Sequence, residues 1–561
     1  MLLGQCIVSW HVETGGGAGL ARGHVDVAII RTGSTGLLTA LYLAREGAKV
    51  QVYEKGRGRS GAPDRDGGMV TTEKFLVSGW NWNEWCYVSV TAASNPGTRL
   101  KVCLPMTSTL SRAIAHYPNR FDPGVLGELP EHLRRTIQRR NNVLGPGYTL
   151  IYKEPVEFVS GHGAHLIDRD GNDYLDAYNN VPCVGHAHPH VAEAVARQMT
   201  AVNTNTRYVQ EALVDYAERL LATFPEELSK LSIACSGSEA NDLAVRVARF
   251  HTGGEGIVVT RWAYHGLTRE VASFSPTLGA GSPLGPNVRF IDAPDPRLVA
   301  PGSTLDEHMR QQVRGAIDDL ERHGYRLAAL ITDCAHSSDG IFTDPPGYMQ
   351  AVVEEVHAAG GVYIADEVQS GFARLGDSMW GFSRHGVLPD IVTMGKPMGN
   401  GLPISGVVFR PEVCEEFGRN VRYFNTFGGS SVPVAAGAAV LDVFEKENVQ
   451  QRVLENGNAL RAGLREITKD SPCVAEVRGA GLYVGVEIVK DRETLEPDRV
   501  LADDVINDMR DRRILISGTG TSANTLKIRP PLAFDSADVT RFLETFAEVA
   551  KNRLQQAGRR D

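Results

Sequence analysis

Between residues 190 and 409 the sequence alternates helical patterning with short, continuously apolar runs closed by a polar residue, such as LAALIT at 327–332 and GVYIAD at 361–366. A strand with no polar face has to be covered on both sides, which an open antiparallel sheet cannot provide and a helix-covered parallel sheet can. Helices are expected at 190–203, 208–223 and 239–251, and strands at 231–235, 256–260, 327–332, 361–365, 390–394 and 404–409. This order predicts an α/β fold: a doubly wound, mostly parallel sheet forming a large domain over 186–430. From 431 to 561 long amphipathic helices and a short strand set (EVRGAGLYVGVEIV, ILIS, TLKIRP) read as a smaller α+β domain. Residues 106–185 carry an arginine-rich helical stretch (HLRRTIQRR, 132–140), then short strands in YTLIYKE and GHGAHLIDRDGNDYLDAYNN, and are expected to contribute to that smaller domain.

Composition excludes several classes. Asp and Glu number 67 against 58 Lys and Arg, a net charge of −9, which does not supply the basic field of a nucleic-acid surface. No apolar run approaches the roughly 20 residues of a membrane span. The N-terminus lacks the basic region of a signal peptide. The eight cysteines form no CxxC pair, which removes zinc ribbons, redox dithiols and disulfide frameworks. No metal site is expected, and a reducing, cytoplasmic setting fits these features.

Residues 1–105 differ in character from the rest. VDVAII (25–30), RTGSTG (31–36), the helical run LLTALYLAREG and the strand AKVQVYE ending at Glu54 spell a partial dinucleotide-binding βαβ unit. Residues 25–60 resemble a degenerate form of the FAD-binding fingerprint of flavin oxidoreductases. Arg31 stands where the fingerprint's first glycine makes its tight turn, and an arginine would crowd the pyrophosphate. The segment is read as an N-terminal extension, with Met106 as an alternative start.

Four stretches carry chemistry. SGSEAND (236–242) follows a strand and opens a helix, so Gly237 and Ser238 present free N–H groups and a hydroxyl suited to a phosphate; Ser236 or Ser238 equally suits an N-cap. In YIADEVQSGFAR (363–374) Asp366 ends an apolar strand, where open α/β sheets place their ligands. In MGKPMGNGLPISG (394–406) Lys396 sits in a tight turn, where lost solvation lowers an amine's pKa and makes it able to form an imine. YFNTFGGSS (423–431) sets Thr426 before a Phe-Gly-Gly turn.

The ordered set SGSEA, YHG, DEVQ, GK, TFGG and RGAGL resembles the class III aminotransferases, enzymes of fold type I that use pyridoxal 5′-phosphate (PLP), over about residues 106–561. The resemblance implies that Lys396 forms the Schiff base with PLP and shuttles the substrate proton. It implies that Asp366 pairs with the ring nitrogen, Val368 packs behind the ring, Gln369 reaches the 3′ oxygen and Tyr264 stacks on the ring. Gly237 and Ser238 are implied to hold the cofactor phosphate, with Thr426 reaching that of a neighbouring subunit, hence a homodimer with shared sites. Substrate candidates are Tyr208, Asp333, Lys527 and Arg529. The implied activity is transfer of an amino group from a primary amine or amino acid to a 2-oxo acid.

Within that family, RRNNVLGPG (139–147), DAYNNVPCVGHAHPHV (176–191), NTNTRYV (203–209) and YFNTFGGSSV (423–432) are similar to the branch of ethanolamine-phosphate and hydroxylysine-phosphate phospho-lyases. The alternative activity is therefore elimination of phosphate and ammonia from an O-phospho-amine. LKIRPPL places Lys527 where many class III transaminases carry an arginine that forks onto the substrate carboxylate, and that branch also tolerates lysine there. Asp333 of DCAHS would be a shorter version of the glutamate that gates that arginine.

Overall fold

The computed structural model describes residues 119–555 and, nearer the N-terminus, the backbone of five strands. The chain divides into two compact units, Met1–Ser111 and Arg112–Asp561. In the first, Ala28–Ile29, Gln51–Lys55, Thr72–Ser78, Cys86–Ala92 and Asn95–Leu104 form one sheet in sequence order. Its first two strands pair in parallel, as a βαβ unit requires, and the others are antiparallel. The RTGSTG turn and the helical run after it lie outside the described residues.

The second unit is organised by a seven-stranded sheet. In spatial order its strands are Val288–Ile291, Gly256–Thr260, Leu327–Asp333, Val362–Asp366, Ile391–Met394, Ser405–Phe409 and Lys230–Ala234. The first five are parallel, and Ser405–Phe409 runs antiparallel to both its neighbours. All six expected strands are present, joined by Val288–Ile291 at the edge. Alternate residues along each strand enter two separate cores: Ile257, Val259, Ile331, Ile364 and Ile391 pack on one side, and Val258, Leu330, Ala365 and Val392 on the other. That is the physical content of the apolar runs, since both faces are covered. The helix Gly237–Thr252 covers the first side with Ala240, Leu243, Ala244, Val247 and Ala248, all buried at the spacing of one helical face.

The remaining strands make two smaller sheets. Val474–Ala480, Tyr483–Ile488, Thr525–Ile528 and Ser517–Thr519 are antiparallel. The meander Phe158–His162, His165–Asp168, Asp173–Asp176 is closed by Ile514–Leu515 near the far end of the chain. Asp168 supplies the expected turn chemistry, accepting from the N–H groups of Asp170 (2.9 Å) and Asn172 (2.8 Å). YTLIYKE forms no strand and contributes only the bridge Arg120↔Ile151. Tyr152 sits at φ +69°, a left-handed conformation that ends extended pairing. Among the described residues no helix is long and apolar enough to cross a membrane.

Candidate active site

The register of the large sheet builds the site. Asp333 pairs with Asp366 and Asp366 with Thr393, so three strands end level, and Lys396 follows two residues past Met394. Above these carboxyl ends lies a cavity of about 270 Å³ lined by Gly237, Ser238, Tyr264, Asp333, Asp366, Val368, Gln369 and Lys396, among others. Eight of the sequence-derived candidates therefore meet in one place.

One wall is a helix N-terminus. Ser236 caps the helix by accepting from the N–H of Glu239 (3.2 Å), and the Glu239 carboxylate accepts in return from the N–H of Cys235 (2.8 Å). The N–H groups of Gly237 and Ser238 lie in the first turn, where no intrahelical acceptor exists. Ser238 Oγ accepts from the N–H of Leu267 (3.0 Å), which leaves its own proton to donate. Close packing dictates the glycines here. A Cβ on Gly237 would stand 3.0 Å from both methyls of Val368, and one on Gly266, at φ +142°, would stand 2.4 Å from Ser238 Oγ.

Asp366 is buried and surrounded by donors. Its Oδ2 faces Asn241 Nδ2 (2.9 Å) and His265 Nδ1 (2.7 Å), and its Oδ1 accepts from the N–H of Val368 (3.0 Å). Gln369 Oε1 accepts from Arg529 and from the Tyr483 hydroxyl (3.2 Å), so its NH₂ is the group left for the cavity. Arg529 donates as well to the carbonyl of Tyr178 (3.3 Å) and lies over the rings of Tyr178 and Tyr483.

Burial and neighbouring positive charge depress the two lysines of the site. Burial, then Arg529, pull Lys396 down to about 8, with Asp366 and Asp333 pulling the other way. Lys527 is lowered to about 7 by burial, Arg529 and Lys396. Burial and the neighbouring Asp366 raise the Asp333 carboxyl, against the N–H groups of Ala335 and Ser337 (both 3.0 Å). Lys527 and Arg529 stand behind the cavity lining rather than in it, coupled to it through Lys396 and Gln369.

Tyr208 and Thr426 are not brought to this cavity. Tyr208 is 66 % exposed, and Thr426 sits on an exposed turn tied back by Asn425, whose Nδ2 reaches Glu239 (3.2 Å). His336 is an interior residue bonded to the Tyr348 hydroxyl (2.5 Å) rather than a cavity group. Residues not singled out from the sequence are Asn241, His265, Thr393 and Asn180. Asn241 and His265 were visible only as members of SGSEAND and YHG. Asn180 is 1 % exposed, precedes the cavity residue Val181, and its amide has no partner among the described residues.

This donor set suits PLP: an amine titrating near neutrality, a carboxylate with acceptor capacity to spare, and an anion cradle at a helix N-terminus within one cavity. The sheet order and cavity are those of the PLP-dependent fold type I. The family model for aminotransferase class-III matches residues 152–550, and the chain belongs to that family. It is 38% identical over 433 residues to an alanine–glyoxylate aminotransferase 2-like protein of Drosophila melanogaster, covering 75% of this chain and 88% of that one. It is 34% identical to an ethanolamine-phosphate phospho-lyase homologue of Caenorhabditis elegans, covering 79% and 98%. Among solved structures it is similar to an Arthrobacter phospholyase in complex with phosphoethanolamine, with a TM-score of 0.72 and 42% identity, covering 74% of this chain and 99% of that one. The protein is thus a PLP-dependent enzyme of the class III aminotransferase family.

Proposed function

We propose that this enzyme is a phospho-lyase that removes phosphate and ammonia from an O-phosphorylated primary amine such as phosphoethanolamine. The observation that carries this reading is Lys527, a point charge in place of a guanidinium fork, set beside Arg529 and coupled to Lys396. Replacing the guanidinium by an ammonium gives up the bidentate match to a planar carboxylate, while an ammonium beside a guanidinium still binds a phosphate dianion. The unpartnered amide of Asn180 adds a neutral donor next to the cavity, and the likeness to the phospholyase and the phospho-lyase homologue points the same way.

Bound PLP supplies an electron sink that acidifies the substrate Cα. Gly237 and Ser238 would hold its phosphate, Asp366 would accept from its ring N–H, Val368 and Tyr264 would flank the ring, and Gln369 would donate to its 3′ oxygen. Lys396, lowered to about 8, would take the Cα proton. The electron pair left on Cα would form the Cα=Cβ bond as the Cβ–O bond breaks, and the phosphate would leave with the Cβ–O pair towards the positive charge of Lys527 and Arg529 behind the lining. Water converts the remaining enamine to an aldehyde and ammonia.

We further propose a homodimer with shared sites. Tyr208, Val209, Leu267 and Phe427 are exposed, Arg207 stacks on Phe424 and Thr426 is exposed on the same turn as Phe427, apolar surface of the kind that a second copy covers. The five described cysteines are free thiols, in keeping with a cytoplasmic setting.

The test is to mix PLP-loaded protein with O-phosphoethanolamine in the absence of a 2-oxo acid and to assay inorganic phosphate. Catalytic phosphate release supports the lyase. No phosphate, with alanine or another amino acid formed once a 2-oxo acid is added, supports transamination, the second reading, which the relationship to the Drosophila protein favours.

A further inference from the structure

Asn241 lies on the fifth residue of the helix Gly237–Thr252, fully buried, and all of its amide hydrogen-bonding groups are engaged. One N–H of Nδ2 reaches Asp366 Oδ2 (2.9 Å) and the other the carbonyl of His265 (2.8 Å). Its Oδ1 accepts from the hydroxyl of Thr393 (2.6 Å). These three partners permit one orientation of the amide. Turned over, Oδ1 would face two oxygens that cannot donate, the Asp366 carboxylate and the His265 carbonyl. Thr393 is itself held beside Asp366 by the strand register.

We infer that Asn241, oriented by the Thr393 hydroxyl, is a positioning residue that fixes the Asp366 carboxylate as an acceptor aimed at the cofactor ring. The inference rests on the assignment of Asp366 to the ring nitrogen proposed above. Asn241 supplies one of the two side-chain donors on Oδ2, and His265 the other; Val368 N–H occupies Oδ1. Helix, strand end and the loop carrying His265 therefore converge on one carboxylate. The other titratable groups that face Asp366 are Lys396 and Asp333, and neither holds its direction, since both act on it through charge alone.

Deleting the Asn241 amide removes a donor from the anionic form, and deleting the Thr393 hydroxyl leaves Asn241 Oδ1 without its donor, so the amide loses one of the three anchors that hold it on Asp366. Both changes weaken PLP binding and shift the pH midpoint of the bound cofactor's visible absorbance in the direction that Asp366→Asn shifts it.

The test is a PLP titration of the apo forms of Asn241→Leu, Thr393→Val, Thr393→Ser and Asp366→Asn. It reads the dissociation constant and the pH midpoint of the absorbance, with thermal unfolding of each apo protein alongside. Asn241→Leu is expected to raise the dissociation constant about 10-fold or more, the scale of one hydrogen bond to a charged group, and Thr393→Val, which removes a bond to a neutral amide, to raise it about 3- to 10-fold. Thr393→Ser, which keeps the hydroxyl, is expected to stay at the wild-type value. Where Asn241→Leu fails to fold, the Thr393 pair carries the test. A lowered apo melting temperature with unchanged affinity and midpoint marks a merely structural role and overturns the inference. If Asp366→Asn itself leaves affinity and midpoint unmoved, the assignment of Asp366 falls instead.

Discussion

Lys527 and Lys396 make the chemistry of this site sensitive to pH close to neutrality. Lys527, at about 7, loses its proton as pH climbs through that value, while a phosphomonoester takes its second charge near 6. The KM for O-phosphoethanolamine is therefore expected to be lowest between about 6 and 7 and to rise at higher pH. Lys527→Arg, always charged, should flatten that rise, and Lys527→Met should raise KM about 10- to 100-fold. The same depression has a stability counterpart. The unfolded chain, with its lysine near 10.5, binds more protons than the folded one between about 7 and 10.5, so the contribution of Lys527 to apo-protein stability grows with pH across that window. Melting curves of wild type and Lys527→Met at pH 7 and 9 check the sign. Lys396→Ala is expected to abolish turnover while the apo protein still folds, read by phosphate release and melting. Lys396 and Asp366 were legible in the sequence because Asp366 ends a recognisable apolar strand and Lys396 sits in the Gly-Pro turn just after another. Asn241 and Thr393 were not, because their partners lie 125 and 152 residues away and only the register brings them together.

At the scale of elements, the strands of the large sheet could be read because burial on both faces leaves an unbroken apolar run, and Ile364, fully buried, is a direct test. Ile364→Ala is expected to cost about 2–5 kcal/mol, measured by denaturant unfolding. The cap of the helix that carries the phosphate cradle was also legible, though the sequence left Ser236 and Ser238 as equal candidates. The structure gives the cap to Ser236 and frees Ser238 for the cavity. Ser236→Ala should cost about 1 kcal/mol of stability. Gly266→Ala should cost more and weaken PLP binding as well, because its methyl would displace the Ser238 hydroxyl. YTLIYKE misled for the opposite reason: its composition suits a strand, but Tyr152 turns inward to donate its hydroxyl to the carbonyl of Ile516 (2.9 Å), and the backbone follows into the left-handed region. A long-range anchor overrode local propensity there.

For the whole molecule, shared sites make a prediction that no single-chain enzyme would satisfy. If Thr426 serves the partner's cofactor, a mixture of Lys396→Ala and Thr426→Val chains should recover activity when the chains are allowed to exchange. Random pairing leaves about a quarter of all sites intact. Absence of recovery, with exchange shown by a tag, would sink the shared-site reading. The closing of the small sheet has a different kind of consequence. Phe158–Asp176 is a meander whose last strand waits for Ile514–Leu515, over three hundred residues later, and Lys527 and Arg529 follow later still. On the ribosome that is a delay of tens of seconds. During it the early strands have an open edge, and the cavity lacks the two cations that stand behind its lining. A nascent or prematurely terminated chain therefore carries the residues assigned to the cofactor well before the two cations assigned to the substrate's phosphate, so the site is completed for its cofactor first and for its substrate only as synthesis nears its end.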